Sequence, residues 1–163
     1  MKLQFSCLLP VVFVVICSCA NETPKEEKSP IVGTWKLFKG TLIEDGDTTV
    51  TNYTDDLSFI KIINDTHFAF LQHDLSQGKD TATAIFVAGG GAYSLHDNIY
   101  EEHLEYCSAR NWEGNDFKFT VTIENDTLIQ RGVEKVENVG VDRINEERYV
   151  RLQPATKLLP KDK

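Results

Sequence analysis

Between residues 31 and 152 the chain alternates runs of β-branched and aromatic residues with turn-forming Asn and Asp pairs, and it never sustains an apolar repeat at helical period. The runs are Val32–Ile43, Leu57–Ile63, His67–Gln72, Thr81–Leu95, Ile99–Tyr106, Phe117–Ile123, Leu128–Val133 and Glu147–Leu152. Asn64-Asp65, Asp97-Asn98 and Asn125-Asp126 separate successive runs, and such pairs tolerate the left-handed backbone that tight hairpins need. Phe117, Phe119, Val121 and Ile123 alternate strictly, as a half-buried strand requires. About eight short strands joined by hairpins predict an all-β, antiparallel up-and-down sheet, closed into a barrel so that no edge is exposed. A two-sheet sandwich is the alternative arrangement. Gly89-Gly90-Gly91 inside one run suits a sharp bend or bulge at a barrel corner. Val136 to Asn145 has no strand pattern and predicts a turn or short helix.

The two ends have a different character. Lys2 precedes a short apolar stretch, Leu8 to Ile16, too short for the roughly 20 residues of a membrane-spanning helix. This pattern predicts a cleaved secretory leader over residues 1–18. Its end, Ile16-Cys17-Ser18-Cys19, resembles a bacterial lipobox, which implies lipidation of Cys19 as the new first residue and attachment to a membrane surface, most simply the outer membrane. Residues 19–30, rich in charge and holding Pro24 and Pro30, read as a tether unable to bury apolar surface. The expected organisation is therefore a leader over 1–18, a lipid-anchored tether over 19–30, a β-barrel over 31–153 and a C-terminal tail over 154–163.

Cysteine usage bounds the fold further. Cys7 and Cys17 leave with the leader and Cys19 is taken by lipid, so Cys107 has no partner for a disulfide. Stability must come from core packing, and Cys107 is expected to serve as a small buried hydrophobe. The chain has 17 Lys and Arg against 25 Asp and Glu, a net charge of −8, and loss of Lys2 with the leader takes it to −9. Dispersed acidic charge argues against a nucleic-acid partner, which calls for a basic patch. No dinucleotide fingerprint, nucleophile elbow or paired-cysteine metal motif is present, so no cofactor and no catalysis are expected.

Four blocks in order resemble the lipocalin-like lipoprotein domains of gut Bacteroidetes: Lys61 to Phe68, Gly89 to Tyr93, Tyr100 to Tyr106 and Asn145 to Leu152. Gly33-Thr34-Trp35 resembles the Gly-x-Trp signature of lipocalins, in which the tryptophan packs over one end of the barrel. The resemblance implies a barrel with a ligand cavity, and a basic residue from the last strand, Arg148 or Arg151, stacked on Trp35.

Chemistry is most concentrated on the run from Ile99 to Cys107. Alternation puts Glu101, His103 and Glu105 on one face and Tyr100, Glu102, Leu104 and Tyr106 on the other. The first face is either the solvated exterior, a polar cavity lining or a weak metal site. If the tyrosine face points inward, Tyr93, Tyr100 and Tyr106 line the cavity with Phe68 and Phe70 as walls, a setting for a small, partly polar ligand. The leading expectation is a lipid-anchored binding protein of the cell envelope. A structural or protein-interaction module is the second reading. A hydrolase or isomerase using His103 with Glu101 or Glu105 is the third, and it requires those groups to converge in a cleft.

Overall fold

The computed structural model describes residues 29–153, so the leader, Cys19, the tether up to residue 28 and the tail from 154 lie outside the described residues. The barrel is built from β1 (Gly33–Glu44), β2 (Asp47–Asn52), β3 (Leu57–Ile63), β4 (His67–Asp74), β5 (Phe86–His96), β6 (Ile99–Leu104), β7 (Tyr106–Cys107), β8 (Asn115–Glu124), β9 (Thr127–Val136) and β10 (Val141–Arg151). Two short 3-10 turns, Arg110–Trp112 and Glu137–Val139, complete the set. All pairings are antiparallel; the strands follow the order β10-β9-β8-β6-β5-β4-β3-β1-β2 with β7 on β5, and β10 returns to pair with β1, closing the sheet.

Ten segments make eight barrel strands because two strands are broken. β1 pairs with β3 along Gly33–Lys36 and with β2 along Lys39–Glu44, so β2 and β3 are two halves of one interrupted strand. β5 likewise pairs first with β7 and then with β6. The expected all-β, closed antiparallel up-and-down barrel of eight strands is thus the fold observed.

The turns follow the sequence signals. Glu124 pairs with Thr127 and His96 with Ile99, leaving two-residue loops in which Asn125, Asp126 and Asp97 have φ of 48°, 62° and 56°. The Asn64 carboxamide oxygen accepts from the backbone N–H of Thr66 and His67 at 2.9 and 2.7 Å, folding that loop back on itself. Three expectations are corrected. Asp47–Asn52 is a strand the polar composition concealed. Thr81–Ile85 belongs to a loop, and the strand begins at Phe86. The last strand begins at Val141 rather than Glu147, with only Glu137–Val139 turned.

One end of the barrel is sealed. Trp35 is fully buried there with Ile31, Leu37 and Tyr149, and its indole N–H donates to the Ile31 carbonyl at 2.7 Å. The Arg151 guanidinium lies 4.0 Å from the Trp35 ring centroid and donates to the carbonyls of Val32 and Pro30. Gly33 has φ of 151°, which L side chains rarely adopt, and a Cβ there would also crowd that guanidinium at 2.5 Å, so glycine precedes the tryptophan by two. Arg148, the other candidate, is instead bonded to Glu146.

Candidate functional site

The inward residues of the strands change character along the barrel. At the sealed end they are apolar; in the middle they are charged. Lys61 on β3 is 3% exposed and its ammonium crosses the interior to Glu102 on β6 at 2.7 Å and to the Gln130 side-chain oxygen on β9 at 3.0 Å. Its Nζ also lies 5.5–5.8 Å from the ring centroids of Phe68, Tyr100 and Tyr149. Burial alone would lower the Lys61 pKa, but Glu102 and Glu147 outweigh it and hold the amine above its ordinary value, hence charged. Burial raises the Glu102 pKa, opposed by the charge and hydrogen bond of Lys61.

A second pair arises from the register of β9 and β10. Glu134 faces Arg143 directly, and Gln130 faces Glu147. Arg143 donates to Glu134 Oε2 from Nε at 2.8 Å, with Nη2 at 2.7 Å, while Asn145 donates to Oε1 at 2.7 Å. The Glu134 pKa is still raised, first by burial and then by Glu147, against the pull of Arg143. Glu147 accepts from the Tyr149 phenol at 2.7 Å and lies 3.9 Å from Lys61. Burial and the Glu147 carboxylate raise the Tyr149 pKa well above its ordinary value, so the phenol keeps its proton. The Tyr100 hydroxyl is buried without a hydrogen-bond partner of proper geometry, and burial followed by the field of Glu102 pushes its pKa up.

Above this charged floor is a cavity of about 220 Å³. Its walls are aromatic: Tyr53, Phe59, Phe70, Phe117, Phe119 and Trp112. Phe59 and Phe70 stack with centroids 5.8 Å apart and planes 9° from parallel. Leu42, Thr51, Gln72, Trp112 and Arg143 line it while remaining half-buried, so they form the outer rim. Trp112, on the first 3-10 turn, is held over the rim by Arg143, 5.5 Å from its ring, and by Phe117. Asn138 on the second turn donates to the Asn111 carbonyl at 3.0 Å and ties the two turns together across the mouth.

The expected site residues divide accordingly. Phe70 lines the cavity; Phe68 and Tyr100 are buried beneath it around Lys61. Tyr93 packs against Tyr100, 5.2 Å between centroids, and donates to the Asn64 carbonyl, which places it near the sealed end rather than in the cavity. Tyr106 is a correction: it is 68% exposed. The strand bulges between β6 and β7, so Glu105 and Tyr106 both point outward and Cys107 takes the inward position, buried as expected. Gly91 makes the bulge fit, since a Cβ there would lie 1.9 Å from the His103 carbonyl oxygen.

Glu101, His103 and Glu105 lie on the outer surface, the correction to their reading as ligand-binding groups. Glu101 pairs with Lys118 at 3.4 Å, His103 with Asp116 at 2.6 Å, and Glu105 accepts from the Ala92 N–H at 3.0 Å. They share no cleft, so the condition for His103 acting with either glutamate is not met. Among the described residues no group of three or more His, Cys, Asp or Glu side chains is disposed to hold a metal ion. Sequence reasoning missed Lys61, Gln130, Glu134, Arg143, Asn145 and Glu147. Lys61 in the middle of Leu57–Ile63, at an inward-alternating position, was the one available signal. No family model and no curated protein matches the chain.

Proposed function

We propose that this chain is a lipid-anchored, lipocalin-like binding protein of the bacterial envelope that holds one small amphipathic molecule in its barrel and carries out no catalysis on it. The observation that carries the reading is the aromatic-walled cavity of about 220 Å³ over a charged floor. Its size, below the roughly 300–1,000 Å³ of pockets for drug-sized ligands, favours a compact ligand over a long acyl chain. The fixed charges below favour a ligand with a polar group. The Ile16 to Cys19 pattern supports the anchor, and its test is Cys19→Ala, which should move the protein from the membrane to the soluble fraction.

Native mass spectrometry of freshly purified, untagged protein tests the binding reading. A co-purifying small molecule, lost when Phe117→Trp fills the cavity, is the expected result. Absence of any such mass, with no ligand-induced change in Trp112 fluorescence across a small-molecule panel, would defeat it. The interaction-module reading keeps one observation in its favour: Phe86 and Tyr106 are 67% and 68% exposed on neighbouring strands of the outer face.

A further inference from the structure

Five charged side chains line the cavity, Lys61 and Arg143 against Glu102, Glu134 and Glu147, one negative charge in excess. The geometry decides which carboxylate carries it. Lys61 is committed to Glu102 at 2.7 Å, and Arg143 to Glu134 at 2.7 Å. Among the described residues Glu147 has only a neutral phenol at 2.7 Å and the already paired ammonium at 3.9 Å. Its side chain is 16% exposed, so neither bulk water nor a dedicated cation balances it fully. We infer that the cavity is built for a small organic monocation, an ammonium on a single aromatic or short aliphatic body, with Glu147 as its counter-charge. This inference rests on the proposed reading of the cavity as a binding site.

The rest of the lining agrees with this chemistry. The rings of Tyr53, Phe59, Phe70, Phe117 and Phe119 line the cavity, and aromatic rings attract a cation as well as packing against an apolar body. The negative field is felt by its neighbours: burial followed by Glu147 raises the pKa of both Tyr53 and Glu134. An anionic ligand would add a second uncompensated charge in a site whose two cations are already engaged. A neutral ligand would desolvate Glu147 further and leave it without a counter-charge of its own. A compact metal ion would lack the converging ligands it needs.

The test uses the full chain and three probes of nearly equal size, titrated by calorimetry: 2-phenylethylamine, 2-phenylethanol and phenylacetate. The amine is expected to bind roughly tenfold or more tightly than the alcohol, and the carboxylate not measurably. Glu147→Gln should erase the preference for the amine, weakening the amine and sparing the alcohol the cost of desolvating a carboxylate. Alcohol or carboxylate binding as tightly as the amine would overturn the monocation inference while leaving the cavity a binding site. Binding of none of the three, together with no co-purifying small molecule, would remove the binding reading itself. Should Glu147→Gln fail to fold, the ranking of probes on the unaltered chain decides alone.

Discussion

The Lys61 ammonium and the Glu102 carboxylate meet 2.7 Å apart inside the barrel, with side chains 3% and 8% exposed and 41 positions apart in sequence. A buried pair of this kind contributes little net stability against an apolar replacement, yet removing one partner strands the other. Lys61→Met should therefore destabilise the protein by roughly 3–5 kcal/mol in urea unfolding. Lys61→Met combined with Glu102→Met should cost less than Lys61→Met alone. A double-variant loss equal to the sum of the two single losses would show that the two charges act independently.

The bulge opposite Gly91 predicts a second effect, this one on the backbone. An added Cβ meets the His103 carbonyl oxygen at 1.9 Å and the Glu105 nitrogen at 2.8 Å, and neither can rotate away. Gly91→Ala should lower stability by at least ~1–3 kcal/mol and expose Cys107, whose inward position depends on the bulge. Thiol labelling under native conditions reads this directly. An unchanged labelling rate would show that the strand accommodates the methyl group elsewhere.

The fold was legible because its signals are local. Alternation at Phe117 to Ile123 and the Asn125-Asp126 turn act within a few residues, and so does the Gly89-Gly91 run that accommodates the bulge. Trp35 was legible from a short signature, which left Arg148 and Arg151 as candidate partners; the structure places Arg151 on the ring. The site was not, for two physical reasons. Tyr106 left its expected face because one bulge reverses the side-chain alternation, and the sequence of β6 and β7 alone does not reveal where it falls. The charged floor draws Lys61, Glu102, Gln130, Glu134, Arg143 and Glu147 from four strands, β3, β6, β9 and β10, each looking like one ordinary polar residue. Only barrel closure brings them together.

His103 supplies a pH prediction on the outer surface. Its Nδ1 lies 2.6 Å from Asp116, and that hydrogen bond raises its pKa above the ordinary 6.5, helped by the charges of Asp116, Glu101 and Glu105. A raised folded-state pKa means that the pair's stabilisation is present below about 6.5 and lost as pH rises through the folded value. NMR titration of the four histidines should show His103 above 6.5, with Asp116→Asn lowering it. Because the pair is exposed, added salt should shrink the shift. A shift unaffected by Asp116→Asn would assign it to another cause.

The sealed end can be tested through its own chromophore. Trp35 and Trp112 are the two tryptophans, so Trp112→Phe leaves Trp35 as the sole indole reporter. Arg151 covers its ring at 4.0 Å and also satisfies the Val32 and Pro30 carbonyls, joining the start of the barrel to its last strand. In the Trp112→Phe background, Arg151→Ala removes the cation–π contact together with two charge-assisted hydrogen bonds, at a cost of about 2–4 kcal/mol. Trp35 emission should shift to the red as water reaches the ring. Arg151→Lys keeps the charge but not the planar stack or the forked donors, so it should restore only part of the loss. Full restoration by lysine would mean that charge alone closes this end, and no change with alanine would mean that Ile31, Leu37 and Tyr149 close it without the arginine.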